Sequence, residues 1–179
     1  MALLENIQNN HPAFLETLKH RFLDDQRKSA LNKFFELGIP TKKDEEYRYT
    51  NLREITEKDY NFFPTETHTI SKEQIAELHL GEENFDWIVF INGQLHKELS
   101  KISIENVEFL SFNFALNDAK HKEVFDNYFN TIAAKDLAFT NLNEAFCKHG
   151  FFLKVPKNMV IEKPIHVFYI SQNQEENTF

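Results

Sequence analysis

The sequence predicts an α+β fold, with a mostly helical N-terminal region, a small β-hairpin and a final segment of strands. Three observations predict it. Apolar residues recur at helical spacing through the first third of the 179 residues. An Asn-Gly pair follows a short apolar run rich in β-branched and aromatic residues in the middle of the chain. After Gly150 the apolar pattern changes from a helical to a strand-like period.

The first element is predicted to be one long helix over about residues 12–37. Pro12 suits a first helical turn, where its missing N–H costs little. Apolar residues then follow at helical spacing, among them Leu15, Leu18 and Phe22. Gly38 and Pro40 form a strong stop signal. A capping arrangement at 41–44 then predicts a short helix through residues 45–47.

The middle of the chain combines a helix with a hairpin. Ser71, with Gln74 three residues later, fits a capping box, which begins a helix that Gly81 should end. The run 87–91 is typical of a strand, and Asn92-Gly93 directly after it is a strong hairpin signal. A return strand is therefore expected over 94–96.

The remaining elements follow the same periods. Residues 107–110 predict another short strand, and helical spacing resumes from Asp118 to Ile132. A last helix should end at Gly150, followed by strands over 151–155 and 165–170. Both faces of the last strand are largely apolar, which predicts a strand covered on both sides or stacked in a larger sheet.

Charge divides the chain into three regions. Residues 1–60 form the N-terminal helical region with net charge −1, and residues 61–150 form a mixed α/β region with net charge −7 and an acidic surface. Residues 151–179 are neutral overall and read as the beginning of a strand-built core.

Composition excludes several classes of protein. Cys147 is the single cysteine, so one chain can form neither an internal disulfide nor a four-thiolate site. The four glycines lie at least 12 residues apart, which excludes glycine-rich phosphate loops. A net charge of −8 argues against nucleic-acid binding. The longest apolar run is too short for a membrane span, and the N-terminus lacks a secretion signal, so a cytoplasmic protein is expected.

The candidate site residues favour structural roles. Cys147 and His149 provide two ligands, which do not make a metal site, and Cys147 is interpreted as an ordinary helix-end residue. The acidic runs 44–46 and 82–83 are interpreted as solvated surface. The histidines form no metal-binding spacing; they are His11, His20, His68, His79, His96, His121, His149 and His166. We therefore assign no catalytic, cofactor-binding or metal residue.

One short segment stands apart from these. In Tyr47-Arg48-Tyr49-Thr50, two aromatic residues flank an arginine directly after an acidic run. Such an arrangement is typical of a cation–π clamp or of a buried arginine–carboxylate pair.

An ordered set of segments resembles the SufB/SufD family of iron–sulfur cluster assembly proteins, and the SufD branch most closely. The segment 45–52, Glu-Glu-Tyr-Arg-Tyr-Thr-Asn-Leu, is similar to the family signature E-x-W-R-Y-T-x-L, with Tyr47 in place of the usual tryptophan. The other segments that resemble the family are 34–40, 89–93, 142–146, Gly150, 155–156 and 162–165.

The resemblance implies an N-terminal helical region that leads into a right-handed parallel β-helix, of which residues 151–179 would be the first strands. It implies a non-catalytic scaffold subunit that joins a SufB-like subunit and a SufC-like ATPase. The iron–sulfur cluster would reside on the complex and ATP on the ATPase, with no cofactor on this part of the chain. Because an interrupted β-helix leaves strand edges unpaired, self-association of this end is also expected.

Two alternatives remain open at this point. The chain could be an autonomous interaction domain whose phenylalanine-rich face binds another protein. It could also be a small enzyme that uses one of its histidines, which would require a pocket with convergent polar groups.

Overall fold

The computed structural model describes residues 2–18, 21–58, 60–63, 69–78 and 85–172. The predicted α+β class is confirmed. The helices are α1 (Ala2–Glu16), α2 (Asp24–Leu37), α3 (Arg53–Thr56), α4 (Lys72–Glu77), α5 (Phe112–Asn117), α6 (Lys122–Tyr128) and α7 (Ala138–Ala145). The strands are β1 (Asp86–Ile91), β2 (Gln94–Leu95), β3 (Glu108–Ser111), β4 (Phe151–Lys154) and β5 (Ile165–Ile170). Short 3-10 turns span Glu45–Tyr47 and Ala119–His121.

The chain forms two compact units, each assembled from two stretches of sequence. The helical unit contains residues 1–63 and 116–148, and the sheet unit contains 64–115 and 149–179. The boundaries at residues 60 and 150 separate regions that differ in net charge, and they stay a prediction.

The core of the helical unit lies between α1, α2 and α7, and α2 packs chiefly against α7. Its buried apolar side chains are Leu3, Ile7, Phe34, Phe62, Ala138 and Leu142. An aromatic cluster adjoins it, in which the Phe146 ring centroid lies 5.1, 5.0 and 4.8 Å from those of His11, Phe14 and Phe62. These phenylalanine side chains therefore pack inside the helical unit and do not form an exposed face.

The predicted single helix over 12–37 is wrong, because α1 and α2 are separate helices. Pro12 lies inside α1 instead of in a first turn. The break follows the end of α1 at Glu16, and Arg21 pairs with Glu16 at 2.8 Å and Asp24 at 3.4 Å. Phe22 continued the apolar spacing in the sequence, but its side chain is 49% exposed. The apolar periodicity continues from α1 into α2, so it did not indicate that one helix ends and a second begins.

The sheet unit contains a three-stranded sheet in the order β2–β1–β5. β1 and β2 form the predicted hairpin, in which Phe90 pairs with Leu95. β5 runs parallel to β1, with Asp86 opposite Ile165 and Ile91 opposite Ile170. The core beneath this sheet contains Ile75, Val89, Ile91 and Leu99.

The last two strands differ from their prediction. β4 pairs antiparallel with β3 in a separate two-stranded sheet, while β5 joins β1. β5 is not covered on both faces, because Val167 is 38% and Tyr169 is 74% exposed. The described residues therefore form small sheets and no β-helical coil.

The local signals predicted the start of α4 correctly, but they placed three helix ends too far along the chain. The capping box of Ser71 and Gln74 is confirmed, but α4 ends at Glu77, and Gly81 lies outside the described residues. The helix predicted as far as Ile132 ends at Tyr128, and Ile132 is 97% exposed. The helix expected to end at Gly150 ends at Ala145.

Candidate functional site

The segment 45–52, which resembles the family signature, begins with a hydrogen-bonded turn in the helical unit. Three hydrogen bonds close its backbone, from Tyr47 N–H to Asp44 O at 3.0 Å, Arg48 N–H to Glu45 O at 3.3 Å and Thr50 N–H to Tyr47 O at 3.0 Å. Hydrogen bonds of this kind are typical of a 3-10 conformation, and each one encloses the two residues between its ends.

The entry to this turn is held by a second set of hydrogen bonds. The Thr41 backbone N–H donates to the Asp44 carboxylate at 2.7 Å, and the Thr41 hydroxyl contacts the same oxygen at 3.1 Å. The backbone hydrogen bond from Thr41 is the main cause that lowers the pKa of Asp44. The predicted capping arrangement is thus present as a closed four-residue loop, although Asp44 does not cap the following turn.

Within the turn, one side chain packs inward and three project outward. The Tyr47 ring contacts Phe139 of α7 edge-on, with centroids 5.8 Å apart. Arg48, Tyr49 and Thr50 are exposed, and Tyr49 is 93% exposed. The Arg48 side chain makes no hydrogen bond, ion pair or ring contact with a described residue. We call these three residues the Arg48 surface. The predicted cation–π clamp or buried pair at Arg48 is wrong.

A buried arginine–carboxylate pair does exist, at Arg27. This side chain is buried, contacts the Asp24 carboxylate at 3.4 Å and donates two hydrogen bonds to the Cys147 carbonyl oxygen. Burial is the main cause that lowers the pKa of Arg27. The signal in the sequence was an arginine on the apolar stripe of α2, four residues after Leu23 and three before Ala30.

Cys147 lies just after α7, as predicted, and belongs to the structural network of Arg27. Burial raises the pKa of its thiol, so the neutral thiol is favoured over the nucleophilic thiolate. His149, two residues later in sequence, belongs to the sheet unit. The two residues are thus part of different compact units, and neither contributes to a metal site in the described part of the chain.

The histidines do not converge. His11 and His121 are buried, His96 contacts Glu98 at 2.9 Å, and the His166 ring lies 4.3 Å from that of Phe85. His20, His68 and His79 lie outside the described residues. Among the residues that the structure describes, no three His, Cys, Asp or Glu side chains are grouped to hold a metal ion.

The acidic runs differ in what the structure describes. Asp44, Glu45 and Glu46 are exposed, whereas Glu82 and Glu83 lie outside the described ranges. The described helices include none long and apolar enough to cross a membrane.

Each unit has a hollow lined by described residues. That of the sheet unit, about 370 Å³, is lined by polar residues that include Lys97, Glu98, Asn113 and His149. That of the helical unit, about 480 Å³, lies between α2 and α7, and two of its lysines are engaged in ion pairs, Lys33 with Glu36 and Lys135 with Glu144.

Comparison with known proteins adds information that the geometry alone does not contain. The family model of the SufBD protein N-terminal region matches residues 4–167. A protein of Synechocystis sp. named as an iron–sulfur cluster assembly SufBD family protein is 24% identical over 159 residues, which cover 89% of this chain and 35% of the relative. A protein of the same description from Staphylococcus saprophyticus is 24% identical over 138 residues, 73% of this chain and 28% of the relative. The chain therefore spans about a third of the length of the curated relatives it matches.

Proposed function

The chain belongs to the SufBD family, and from this premise we propose that it is the N-terminal part of a scaffold subunit in iron–sulfur cluster assembly. The observation that carries the proposal is the family match over residues 4–167, which includes both compact units. The names of the two relatives support the same process. The assignment to the SufD branch, which the ordered sequence segments favour, is part of this proposal.

We propose that the subunit acts in the cytoplasm, together with a SufB-like subunit and a SufC-like ATPase. Its role is to position partners rather than to perform a chemical step, and the cluster is cargo of the complex. The partial burial of Cys147 and the raised pKa of its thiol support leaving this residue out of any cluster contact. No cofactor is assigned to residues 1–179.

The proposal includes a continuation of the fold into a parallel β-helix. Among the described strands, β5 pairs on one side only, with β1, and that pairing is parallel. Its sequence is free of acidic residues and lysine, which leaves an edge suited to a further strand. On a chain limited to residues 1–179, the same edge would favour pairing with a second copy, which light scattering at rising concentration would detect.

The two alternatives are not favoured. Phenylalanines at the centre of both units are buried, among them Phe34, Phe62, Phe85 and Phe90, which weakens the case for a phenylalanine-rich binding face. The scattered described histidines lend no support to a histidine-dependent enzyme.

A tagged full-length gene product, expressed from its own chromosomal locus, tests the function. We expect the SufB-like and SufC-like subunits of the same organism to co-purify with it in a fixed ratio. Deletion of the gene should lower the activity of an iron–sulfur enzyme several-fold, and the full-length gene should restore it. A product that purifies alone, with iron–sulfur enzymes unaffected by the deletion, would contradict the proposal.

A further inference from the structure

We propose that the Arg48 surface is a docking site for a neighbouring protein subunit. The occupant is a protein surface that places a carboxylate against the Arg48 guanidinium and an apolar side chain against the Tyr49 ring. This inference rests on the proposed function, because the neighbouring subunit is taken to be a member of the same assembly complex.

The first support is the missing internal partner of Arg48. The chain has four arginines. Arg21 pairs with Glu16 at 2.8 Å, Arg27 contacts Asp24 and the Cys147 carbonyl, and Arg53 pairs with Glu57 at 3.0 Å. Arg48 alone has no such contact with a described residue. Its guanidinium carries five N–H donors in a planar fork that matches a carboxylate, so an acceptor from another molecule fits it well.

The second support is the position of Tyr49 beside it. Its side chain is 93% exposed, more than that of Tyr128 at 71% or Tyr169 at 74%. Tyrosine and arginine are over-represented among the residues that contribute most to protein–protein binding. An exposed tyrosine on a mobile loop would lose entropy on binding, but the hydrogen bonds of the 41–50 turn already fix this backbone.

The anchor of the turn explains how the surface is presented. The Tyr47 ring packs on Phe139 of α7, so the turn is attached to a helix of the core. Neighbouring residues in the turn point away from that anchor and are exposed. Because Tyr47 anchors the turn while the next three residues are exposed, the geometry of the Arg48 surface is set before a partner binds.

The net charge of residues 41–50 favours a protein partner over a polyanion. Residues 41–50 contain three basic side chains, Lys42, Lys43 and Arg48, and three acidic ones, Asp44, Glu45 and Glu46, so their net charge is zero. A nucleic acid or an anionic membrane is recognised by a net positive field, which this segment lacks. A tyrosine surrounded by mixed charges instead corresponds to the centre and rim of a protein–protein interface.

The experiment measures the affinity of the full-length gene product for the SufB-like and SufC-like subunits of the same organism. The test variants are Arg48→Ala and Tyr49→Ala. The matched controls are Arg53→Ala, at an exposed arginine with its own ion pair, and Tyr128→Ala, at another exposed tyrosine. We expect each test variant to raise the Kd for one of the two subunits by at least about tenfold, and each control to raise neither Kd by more than about twofold. Since all four side chains are exposed, the melting temperature should change by no more than a few degrees, roughly 2–4 °C.

A further variant separates recognition of a carboxylate from charge alone. Arg48→Lys keeps the positive charge but loses the planar fork, so its Kd should lie between those of the wild type and Arg48→Ala. The same proteins are also titrated with a single-stranded RNA and with vesicles of anionic lipid. Binding of either by the wild type that Arg48→Ala abolishes would overturn the proposal in favour of a polyanion site.

The outcomes distinguish this inference from the function on which it rests. If the wild type binds the subunits and all variants bind equally well, the Arg48 surface is not the docking site, and the proposed function stands. If the wild type binds neither subunit, the proposed function fails, and with it the assignment of the partner.

Discussion

The Arg27 guanidinium donates two hydrogen bonds to the backbone carbonyl oxygen of Cys147, from Nε at 3.0 Å and from Nη2 at 2.8 Å. α7 ends at Ala145 with Phe146 as its C-cap, so Cys147 is the first residue beyond the cap, and the two hydrogen bonds hold the chain where it leaves the helix. The third nitrogen, Nη1, lies 3.4 Å from the Asp24 carboxylate. One buried side chain of α2 thus stabilises the end of α7.

Arg27→Met should destabilise the helical unit by about 3 kcal/mol. The substitution keeps the apolar stem but leaves the part-buried Cys147 carbonyl without its donors, and the Asp24 carboxylate keeps only its contact with Arg21 at 3.4 Å. Urea denaturation followed by circular dichroism measures the change. As a control, Arg53→Ala removes an exposed pair with Glu57 and should cost less than about 1 kcal/mol. Equal midpoints for the two variants would show that the Arg27 contacts contribute no more than a surface pair.

The lowered pKa of His11 leads to a prediction of how the stability of the helical unit depends on pH. Its Nε2 lies 3.1 Å from the Ala145 carbonyl oxygen, and burial is the main cause that lowers the pKa of His11 below 6.5. As the pH falls below 6.5, the unfolded chain therefore binds a proton that the folded chain resists, and the free energy of unfolding decreases.

The variant His11→Gln tests this directly, because glutamine is a polar side chain that does not titrate in this range. Urea midpoints measured at about pH 7.5 and about pH 5.5 should differ less for His11→Gln than for the wild type. The wild type at the higher pH serves as the reference for the cost of the substitution itself. Parallel pH profiles for the two proteins would contradict the role of His11.

Features encoded by adjacent residues could be predicted from the sequence. The hairpin depended on Asn92-Gly93 and the start of α4 on Ser71 and Gln74, and both are present in the structure. In each case the residues that produce the conformation are neighbours, so no knowledge of the tertiary packing was needed. The short turn at 45–47 was found for the same reason.

Features that depend on tertiary contacts were missed. Phe22 has the spacing expected for the apolar face of a helix, but it is 49% exposed, so it is not part of the buried core. Arg48 lies between two aromatic residues in sequence, yet Tyr47 turns inward and Tyr49 outward, so no clamp forms. The role of Arg27 depends on a carbonyl 120 residues away, which no local pattern indicates.

Asp86 is a second buried anchor, this time in the sheet unit. Its carboxylate accepts hydrogen bonds from the Ser103 backbone N–H at 2.8 Å, the Ser103 hydroxyl at 2.6 Å and the Ile104 N–H at 3.1 Å. Asp86→Ala should destabilise this unit by about 2–3 kcal/mol, because it leaves these donors without an acceptor.

Loss of the β-sheet signal in urea, recorded by circular dichroism, measures the Asp86 effect. The control is Asp126→Asn, at an exposed carboxylate paired with Lys122, which should change stability by less than about 0.5 kcal/mol. Asp86→Asn, which keeps one acceptor oxygen, should fall between the two. An alanine variant as stable as the wild type would mean that water replaces the carboxylate at no cost.

Gly93 sets the tight turn between β1 and β2. Asn92 and Gly93 have φ values of 47° and 77°, the pair of left-handed conformations that a two-residue turn of type I′ requires. A side chain at Gly93 meets no atom within 4 Å, so the cost of Gly93→Ala is purely conformational, about 1–2 kcal/mol. The matched control is Gly150→Ala, whose φ is not in the left-handed region and whose added Cβ would lie 3.4 Å from Phe112 Cβ, close to an ordinary contact. Thermal unfolding should therefore show a lower melting temperature for Gly93→Ala than for Gly150→Ala, and the reverse order would contradict the conformational account of the turn.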